Sequence, residues 1–188
     1  MPFDSLLIAN RGEIAVRLLR AGAEAGLRTI AIYSGDDAAA LHRRRADVDH
    51  ALPGRGARAY LDIDAIIAAA RETGAGAVHP GYGFLSENAA FARACEAAGI
   101  VFVGPTPDQL ELFGDKTRAR ALAMECGVPL LAGTRSATAL DAARAFMTEL
   151  EAPVMLKAVA GGGGRGIRAV TDVAELDAAF ERCASEAE

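Results

Sequence analysis

Short apolar runs alternate with amphipathic segments over the first part of the chain. The runs have the length and composition of buried strands, and they cover Leu6–Ala9, Leu27–Tyr33, Ala75–His79 and Ile100–Val103. Between the second and third runs, residues 60–73 repeat isoleucine and alanine at spacings of three and four, which is the helical period. Strands that alternate with helices in this way predict an α/β domain built on a parallel sheet.

The first of these strands leads through a short turn into a helix and then into the second strand. Asn10 and Glu13 stand three residues apart before an apolar helical pattern, which has the form of a capping box, and Gly26 marks the helix end. The arrangement predicts a right-handed, parallel βαβ unit. Gly12 supplies one glycine where a dinucleotide-binding fingerprint requires three, so the pattern does not favour a nicotinamide cofactor.

Capping residues mark several helix starts further along the chain. Ser86 is predicted to cap a helix over Glu87–Ala98, and Asp115 to cap a later one. Thr106 and Gln109 have the spacing of a capping box. These capping residues predict that one domain ends and another begins between about Thr106 and Asp115.

The segments after this boundary predict a mixture of strand and helix. Leu130–Gly133 reads as a strand and Thr138–Leu150 as a helix. A last helix is predicted over residues 172–188, with an apolar face made by Val173, Leu176, Phe180 and Cys183. Because no further element follows to cover that face, we expect the chain to be truncated within its second domain.

The most informative stretch is a hairpin pattern that surrounds a run of glycines. An apolar run ends at Lys157, and a second one starts at Ile167. Between them lies a glycine-rich loop that includes Gly161, Gly162, Gly163, Gly164, Arg165 and Gly166. Contiguous glycines cost backbone entropy and bury no side chain, so the loop suits a main chain that lays N–H groups against phosphate.

The order of lysine and glycine distinguishes this loop from other phosphate-binding patterns. A Walker A loop has its lysine after the glycines, whereas Lys157 precedes them. Kinase and Rossmann fingerprints space their glycines, whereas these are contiguous. An ordinary hairpin loop is the alternative, although such loops usually have only about two to five residues.

A second stretch, His79–Asn88, follows a predicted parallel strand at the sheet edge where α/β proteins bind ligands. It places a histidine, a tyrosine and two glycines within five positions. Helix capping does not account for this density. We therefore predict that Tyr82, Gly83 and Glu87 face a ligand, whereas His79 alone is typical of an ordinary buried histidine.

Composition excludes several classes of function. The 188 residues carry a net charge of -5 and a pI near 5.3, which argues against a nucleic-acid partner. No apolar run is long enough to span a membrane and the start lacks a signal-peptide pattern, so we expect a cytoplasmic protein with no membrane partner. The cysteines, Cys95, Cys126 and Cys183, are odd in number and far apart, which indicates reduced core residues and no metal site.

Four segments together resemble one known family. Lysine followed by polyglycine between two strands is similar to the phosphate-covering hairpin of ATP-grasp ligases. The whole set resembles the N-terminal part of biotin carboxylase, the ATP-grasp component of biotin-dependent acyl-CoA and pyruvate carboxylases. The segments, in chain order, are Ile8–Ala15, His79–Asn88, Gly114–Lys116 and Lys157 with Gly161–Gly166.

The resemblance implies a fold and a domain division. Residues 1–113 would form a Rossmann-like (pre-ATP-grasp) domain with a parallel sheet. Residues 114–188 would form the first, incomplete part of an ATP-grasp domain that includes the glycine-rich lid hairpin. Residues 52–58 depart from the usual family pattern and indicate the subfamily of single-chain long-chain acyl-CoA carboxylases.

The resemblance also implies a reaction in two steps. MgATP activates bicarbonate to carboxyphosphate, and the carboxyl group then passes to the N1 nitrogen of biotin on a biotin carboxyl carrier domain. A carboxyltransferase component uses the product. The implied nucleotide contacts are Lys116, Lys157 and the glycine-rich loop, and the implied wall of the biotin and bicarbonate pocket is Tyr82, Gly83 and Glu87.

Two further expectations concern the dimer contact and the parts of the active site that lie outside these residues. Arg20 and Glu24 fall where the family makes its homodimer contact, although they are equally consistent with a solvated i, i+4 pair. The magnesium ligands, the general base and the adenine pocket are expected beyond residue 188, so we name no catalytic residue here and expect little activity from the fragment alone. The alternatives are another ATP-grasp ligase, such as the large subunit of carbamoyl-phosphate synthase, or a non-catalytic dimerisation module.

Overall fold

A computed structural model describes residues 2–134, 138–158 and 166–186. The chain divides into two compact units, Met1–Glu111 and Leu112–Glu188. The domain boundary inferred from the sequence, between residues 113 and 114, lies slightly further along and stays a prediction. Within the described residues, no helix combines the length and apolar character that a bilayer crossing requires.

The first unit contains a parallel sheet and the helices that connect its strands. Its strands are β1 (Ser5–Ile8), β2 (Arg28–Tyr33), β3 (Val48–Ala51), β4 (Ala77–His79) and β5 (Val101–Phe102). Its helices are α1 (Gly12–Glu24), α2 (Leu41–Arg45), α3 (Gly56–Ala59), α4 (Ile63–Glu72) and α5 (Ala89–Ala97), and α6 (Pro107–Gly114) contains the division between the units.

The strand order of this sheet is β3-β2-β1-β4-β5, and every neighbouring pair is parallel. The predicted parallel α/β architecture and the parallel pairing of the first βαβ unit are therefore confirmed. The order reverses between β1 and β4, because the chain first builds outward to β3 and then returns to the other side of β1. Ligands of open α/β sheets bind at the carboxyl ends of the strands beside such a reversal.

The sheet is covered on both faces, as parallel sheets require. Successive side chains of a strand point to opposite faces, and β1 divides its residues accordingly. Leu7 belongs to one buried cluster, with Ile66 and Phe91 from helices on that side. Leu6 and Ile8 belong to the other cluster, which includes Leu19 of α1.

The predicted helix starts have mixed outcomes. The capping box of Thr106 and Gln109 is confirmed, because each backbone N–H donates to the other side chain, at 2.9 and 3.3 Å. The Asp115 cap is also confirmed, since its carboxylate accepts two N–H bonds of the first turn of the next helix. The Ser86 cap is wrong. The chain turns twice over residues 83–88, so the helix begins after Asn88, whose side chain accepts from Phe91 N at 2.9 Å.

The second unit contains the predicted hairpin. Its elements are α7 (Lys116–Glu125), α8 (Leu140–Leu150), β6 (Val154–Lys157), β7 (Ile167–Val170) and α9 (Leu176–Ser185). Strands β6 and β7 pair antiparallel, which confirms the hairpin. The predicted strand Leu130–Gly133 is wrong, because this segment has no strand partner among the described residues and Leu131 is 89% exposed.

Two other expectations for this unit need correction. The apolar face of α9 is not left uncovered, since Leu176 and Cys183 are buried and Leu176 packs in a cluster with Met147 and Val170. The cysteines are free, and two of them are buried as expected. Cys126 is exposed, however, because it lies directly after the end of α7, a helix with no buried residue.

A polar network centred on Asp37 joins three segments at the carboxyl edge of the sheet. Arg11 donates to both carboxylate oxygens, from Nε at 2.6 Å and from Nη2 at 2.5 Å, and Tyr60 donates its hydroxyl at 2.7 Å. The Tyr60 oxygen in turn accepts from Ser34 N at 3.1 Å. The Arg11 hydrogen bond is the main reason that the pKa of Asp37 falls to about 2.

We expect Asp37→Asn to lower the free energy of unfolding by about 1.5–3 kcal/mol, because it removes charge-assisted hydrogen bonds from a mostly buried site. Asp108→Asn is the matched control. Asp108 pairs with Arg93 at 3.2 Å but is 93% exposed, so its loss should cost less than about 1 kcal/mol. Urea unfolding at neutral pH compares the two, and equal losses would contradict the assignment.

The Asp37 contribution should also depend on pH. Its folded-state pKa of about 2 lies below the ordinary 3.8, so the stabilisation is complete above pH 3.8 and is lost as the pH falls towards 2. The stability difference between wild type and Asp37→Asn should therefore shrink over this interval. A difference that stays constant down to the lowest pH would show that the carboxylate charge is not its source.

Candidate functional site

The predicted ligand-facing residues lie at the reversal of strand order in the first unit. The end of β1 leads into Asn10–Gly12 and the end of β4 leads into Pro80–Gly83, so both loops leave the same edge of the sheet. Ile8 and His79 are paired in the register of β1 and β4. The two loops therefore start side by side, and their contacts decide the shape of the site.

Asn10 links these two loops. Its side chain is buried, and Nδ2 donates to the carbonyl oxygens of Pro80 at 2.7 Å and Tyr82 at 2.9 Å. Its Oδ1 accepts from Arg11 N at 2.9 Å. Both donors and an acceptor of the carboxamide are therefore used, and two of the bonds hold the loop after β4.

The capping box expected from Asn10 and Glu13 is consequently wrong. Arg11 is the residue before α1, and no side chain caps that helix. The Asn10 carboxamide is instead engaged by the loop after β4, and the Glu13 carboxylate accepts a hydrogen bond from the Tyr82 hydroxyl. Sequence reasoning therefore missed both residues as parts of the site, although the position of Asn10, just after a buried strand, was a usable signal.

Left-handed backbone shapes the loop that contains Tyr82. Gly81 and Gly83 have φ angles of 70° and 67°, and Phe84 has a φ of 42°. A Cβ on Gly81 would lie 2.7 Å from Asn10 Nδ2, whereas a Cβ on Gly83 would meet nothing within 4 Å. Gly81 is thus required by close approach to Asn10 as well as by its conformation.

Tyr82 projects from this loop, and its side chain is anchored at the far end. The residue is 61% exposed, and its hydroxyl donates to Glu13 Oε1 in the first turn of α1. This hydrogen bond is the main cause of a raised Tyr82 pKa, because ionising the phenol beside a carboxylate is unfavourable. Gly83 and Glu87 are also exposed, so the three predicted pocket residues are accessible to a ligand.

His79 organises the base of the same loop. Its ring is partly buried, and Nδ1 accepts from Gly81 N at 3.0 Å. Burial lowers the pKa of the imidazole, which favours the neutral ring that can accept this bond. The residue therefore supports the turn, in line with the ordinary structural role expected for it.

The predicted phosphate contacts lie in the second unit. Lys116 is the first residue of α7 and Lys157 the last of β6, and both are exposed. Gly166 closes the hairpin, because its carbonyl accepts from Ala158 N at 2.8 Å and a Cβ there would lie 2.7 Å from the Ala158 Cβ. The remaining loop residues, Gly161, Gly162, Gly163, Gly164 and Arg165, lie outside the described residues, and their roles stay predictions.

Arg20 and Glu24 form an ion pair on the outer surface of α1, with a separation of 3.7 Å and side-chain exposures of 76% and 71%. This geometry is that of a solvated i, i+4 pair, and a dimer contact by these residues stays a prediction. In the described part of the chain, no cluster of three or more histidine, cysteine or acidic residues is placed to hold a metal ion.

Comparison with known protein families gives two matches that together span nearly all of the sequence. Residues 2–110 match the family described as "Biotin carboxylase, N-terminal domain". Residues 115–188 match the family described as "Carbamoyl-phosphate synthase L chain, ATP binding domain". A pyruvate carboxylase of Schizosaccharomyces pombe is 48% identical in a 190-position alignment that covers 98% of this chain but only 16% of that protein.

Solved structures share the architecture. A biotin carboxylase domain of a single-chain bacterial carboxylase is 56% identical, with a TM-score of 0.84 over 94% of this chain and 39% of that one. A biotin carboxylase domain dimer of the Hydrogenobacter thermophilus 2-oxoglutarate carboxylase is 42% identical, with a TM-score of 0.94 over 100% of this chain and 42% of that one. The second structure is a complex with MgADP, ADP and bicarbonate.

We expect Gly81→Ala to destabilise the protein distinctly more than Gly83→Ala. Both substitutions place alanine in left-handed backbone, which costs about 1–2 kcal/mol. Only the Gly81 change also drives a Cβ to 2.7 Å from Asn10 Nδ2, so the buried carboxamide must move. Urea unfolding of the two variants measures the difference, and equal losses would show that Asn10 does not hold the loop closely.

Proposed function

This chain belongs to the biotin carboxylase family, and we propose that it forms the amino-terminal part of an ATP-dependent ligase that carboxylates biotin. The observation that carries the proposal is the match of residues 2–110 to the biotin carboxylase N-terminal domain, followed by an ATP-binding match over residues 115–188. The chain spans 16% of the length of the pyruvate carboxylase it matches, so the rest of the active site is assigned to other parts of the enzyme.

The proposed reaction begins when a bicarbonate oxygen attacks the γ-phosphorus of ATP. ADP leaves, and the product is carboxyphosphate. Biotin N1 then forms a bond to the carboxyl carbon as the carbon–oxygen bond of carboxyphosphate breaks. Phosphate departs with the oxygen that came from bicarbonate, and the proton lost from N1 leaves with it. Magnesium is expected to accompany the nucleotide, but the described residues offer no ligand set for it, so we assign no step of this chain to the metal.

Lys116 and Lys157 are proposed to contact the nucleotide phosphates, together with Gly166 and the loop that precedes it. They are the only lysines among the 20 basic residues of the chain, and the other 18 are arginines. A chain that uses arginine so widely keeps a compact ammonium at these two positions, where positive charge would offset charge on the transferred phosphoryl group. This residue choice supports the proposal independently of the family match.

Tyr82, Gly83 and Glu87 are proposed to line the biotin and bicarbonate pocket, because all three are exposed at the sheet edge that binds ligands in this architecture. The proposed partners are a biotin carboxyl carrier domain, a carboxyltransferase component and a second copy of the enzyme that contacts Arg20 and Glu24. The final acceptor is an acyl-CoA or a keto acid. A cytoplasmic location fits the free thiols.

Two alternatives remain distinguishable from this proposal. The ATP-binding match alone would suit carbamoyl-phosphate synthase, but residues 2–110 favour biotin carboxylase. A non-catalytic dimerisation module would not require either lysine to contact a nucleotide. ATP turnover that depends on biotin would distinguish biotin carboxylase from carbamoyl-phosphate synthase. Nucleotide binding through the lysines would distinguish it from a dimerisation module.

The complete enzyme is expected to form ADP from MgATP and bicarbonate at a rate that rises when free biotin is added. The physical reason is that biotin consumes carboxyphosphate and so draws the first step forward. A coupled assay for ADP, with and without biotin, measures this. Bicarbonate-dependent turnover that ignores biotin but responds to ammonia or glutamine would favour the carbamoyl-phosphate alternative.

MgATP is expected to protect both lysines from an amine-acetylating reagent, because each ammonium would lie against phosphate. Peptide mass spectrometry reads the two positions separately, and their uniqueness among residues 1–188 makes the assignment unambiguous. Lys116→Met or Lys157→Met should weaken MgATP binding at least about tenfold, or about 1.4 kcal/mol. Unprotected lysines with unchanged affinity in both variants would contradict their assignment.

A further inference from the structure

The geometry at the start of α1 points to a role for Asn10 and Glu13 that helix capping does not describe. We propose that they are positioning residues for the Tyr82–Gly83 turn, with Asn10 fixing the main chain and Glu13 fixing the phenol of Tyr82. The inference rests on the proposed function, in which this turn borders the biotin and bicarbonate pocket.

Asn10 fixes the main chain because its side-chain N–H groups donate hydrogen bonds to the carbonyls on either side of Gly81. The bonds to Pro80 O and Tyr82 O are 2.7 and 2.9 Å, and Asn10 is 2% exposed. Water cannot readily replace a buried donor, so loss of either bond leaves a carbonyl of the turn without its partner. The isosteric change Asn10→Asp would place carboxylate oxygen against both carbonyls.

Glu13 fixes the side chain of the same turn. Tyr82 is 61% exposed, and its hydroxyl donates to the Glu13 carboxylate, which restricts the rotamers open to the side chain. Glu13 is held in the first turn of α1, a helix whose Ala15 and Leu19 are buried in the core. The phenol is therefore linked, through the exposed Glu13 side chain, to a helix that is packed against the core.

The consequence is a pocket wall that is organised in advance. Immobilising a rotamer-rich side chain costs roughly 0.5–1.5 kcal/mol on binding, which corresponds to about three- to tenfold in affinity. When the side chain is already immobilised in the free enzyme, this free energy is not lost on binding, and the ligand binds more tightly by that factor. The nucleotide contacts lie on other elements, so the effect should appear in the KM for biotin and not in the KM for ATP.

The decisive experiment is a double-mutant cycle of Glu13→Ala and Tyr82→Phe in the complete enzyme, read as steady-state KM values at saturating MgATP. Each single change should raise the KM for biotin about three- to tenfold. The double variant should match Tyr82→Phe alone, because Glu13 acts through the hydroxyl that this variant lacks. Glu13→Gln keeps an acceptor and should restore most of the loss, and the KM for ATP should stay constant throughout.

Asn10→Asp provides the main-chain half of the test, with Asn88→Asp as its matched control. Asn88 acts as an acceptor from Phe91 N, so aspartate preserves its helix cap. Asn10→Asp loses both donors and should raise the KM for biotin more than the control does. Circular dichroism during thermal unfolding reports whether each variant is folded. If Asn10→Asp does not fold, the double-mutant cycle on Glu13 and Tyr82 still tests the proposal.

Failure of this inference can be told apart from failure of the proposed function. In an enzyme with biotin-stimulated turnover, additive effects of the two changes, or an unchanged KM for biotin in Glu13→Ala, would overturn the positioning role alone. A wild-type enzyme without biotin-stimulated turnover would overturn the proposed function. In that case, absorbance titration of the Tyr82 phenol tests the hydrogen bond to Glu13. Glu13→Gln should lower the pKa of the phenol, and an unchanged pKa would contradict the hydrogen bond.

Discussion

The structure of the site depends on the buried Asn10 carboxamide, which bridges the loops that leave β1 and β4. The central strands bring these loops together, since Ile8 pairs with His79 and Ala9 N donates to His79 O at 2.9 Å. Pairing of strands ends there, and the backbone beyond it needs other partners. Asn10 supplies two of them through its bonds to Pro80 O and Tyr82 O, and so holds a turn that contains left-handed residues.

The two units supply different kinds of contact. The first offers a fixed turn, held from the main chain and from the tip of Tyr82, which suits recognition of a ligand by shape and position. The second offers two exposed lysines, Lys116 at the start of a helix and Lys157 at the end of a strand, and their positive charge suits phosphate. A fold shared by many ligases does not determine the reaction, whereas these particular groups and the family match do favour one function.

Local sequence pattern was sufficient to predict much of the fold. Where such a prediction is wrong, tertiary contacts explain why. The apolar runs of the first unit located β1, β2, β4 and β5, and the glycine run located the hairpin. Asn10 was misread because a polar residue before a helix with glutamate three positions later satisfies the capping pattern, while carbonyls some seventy residues away compete for the same carboxamide. Ser86 was misread for a related reason, since consecutive turns occupy the residues that a helix would need.

The Asp37 network and the order of the strands could not be read from the sequence either. Asp37 meets Arg11 and Tyr60 at separations of 26 and 23 residues, and no periodicity signals such contacts. The reversal beside β1 is likewise a property of the folded sheet. Residue type and position did indicate Tyr82 and Gly83 as accessible residues at the ligand-binding edge, because their density of unusual residues exceeded what a helix start requires.

The central claim is that the enzyme to which this chain belongs activates bicarbonate with ATP for transfer to biotin. Bicarbonate labelled with heavy oxygen tests it most directly, because the bridging oxygen of carboxyphosphate remains on phosphorus when the carbon–oxygen bond breaks. We expect biotin-stimulated turnover in the complete enzyme to transfer a labelled oxygen from bicarbonate to inorganic phosphate. Phosphate that takes its new oxygen from water would contradict the account and indicate simple ATP hydrolysis.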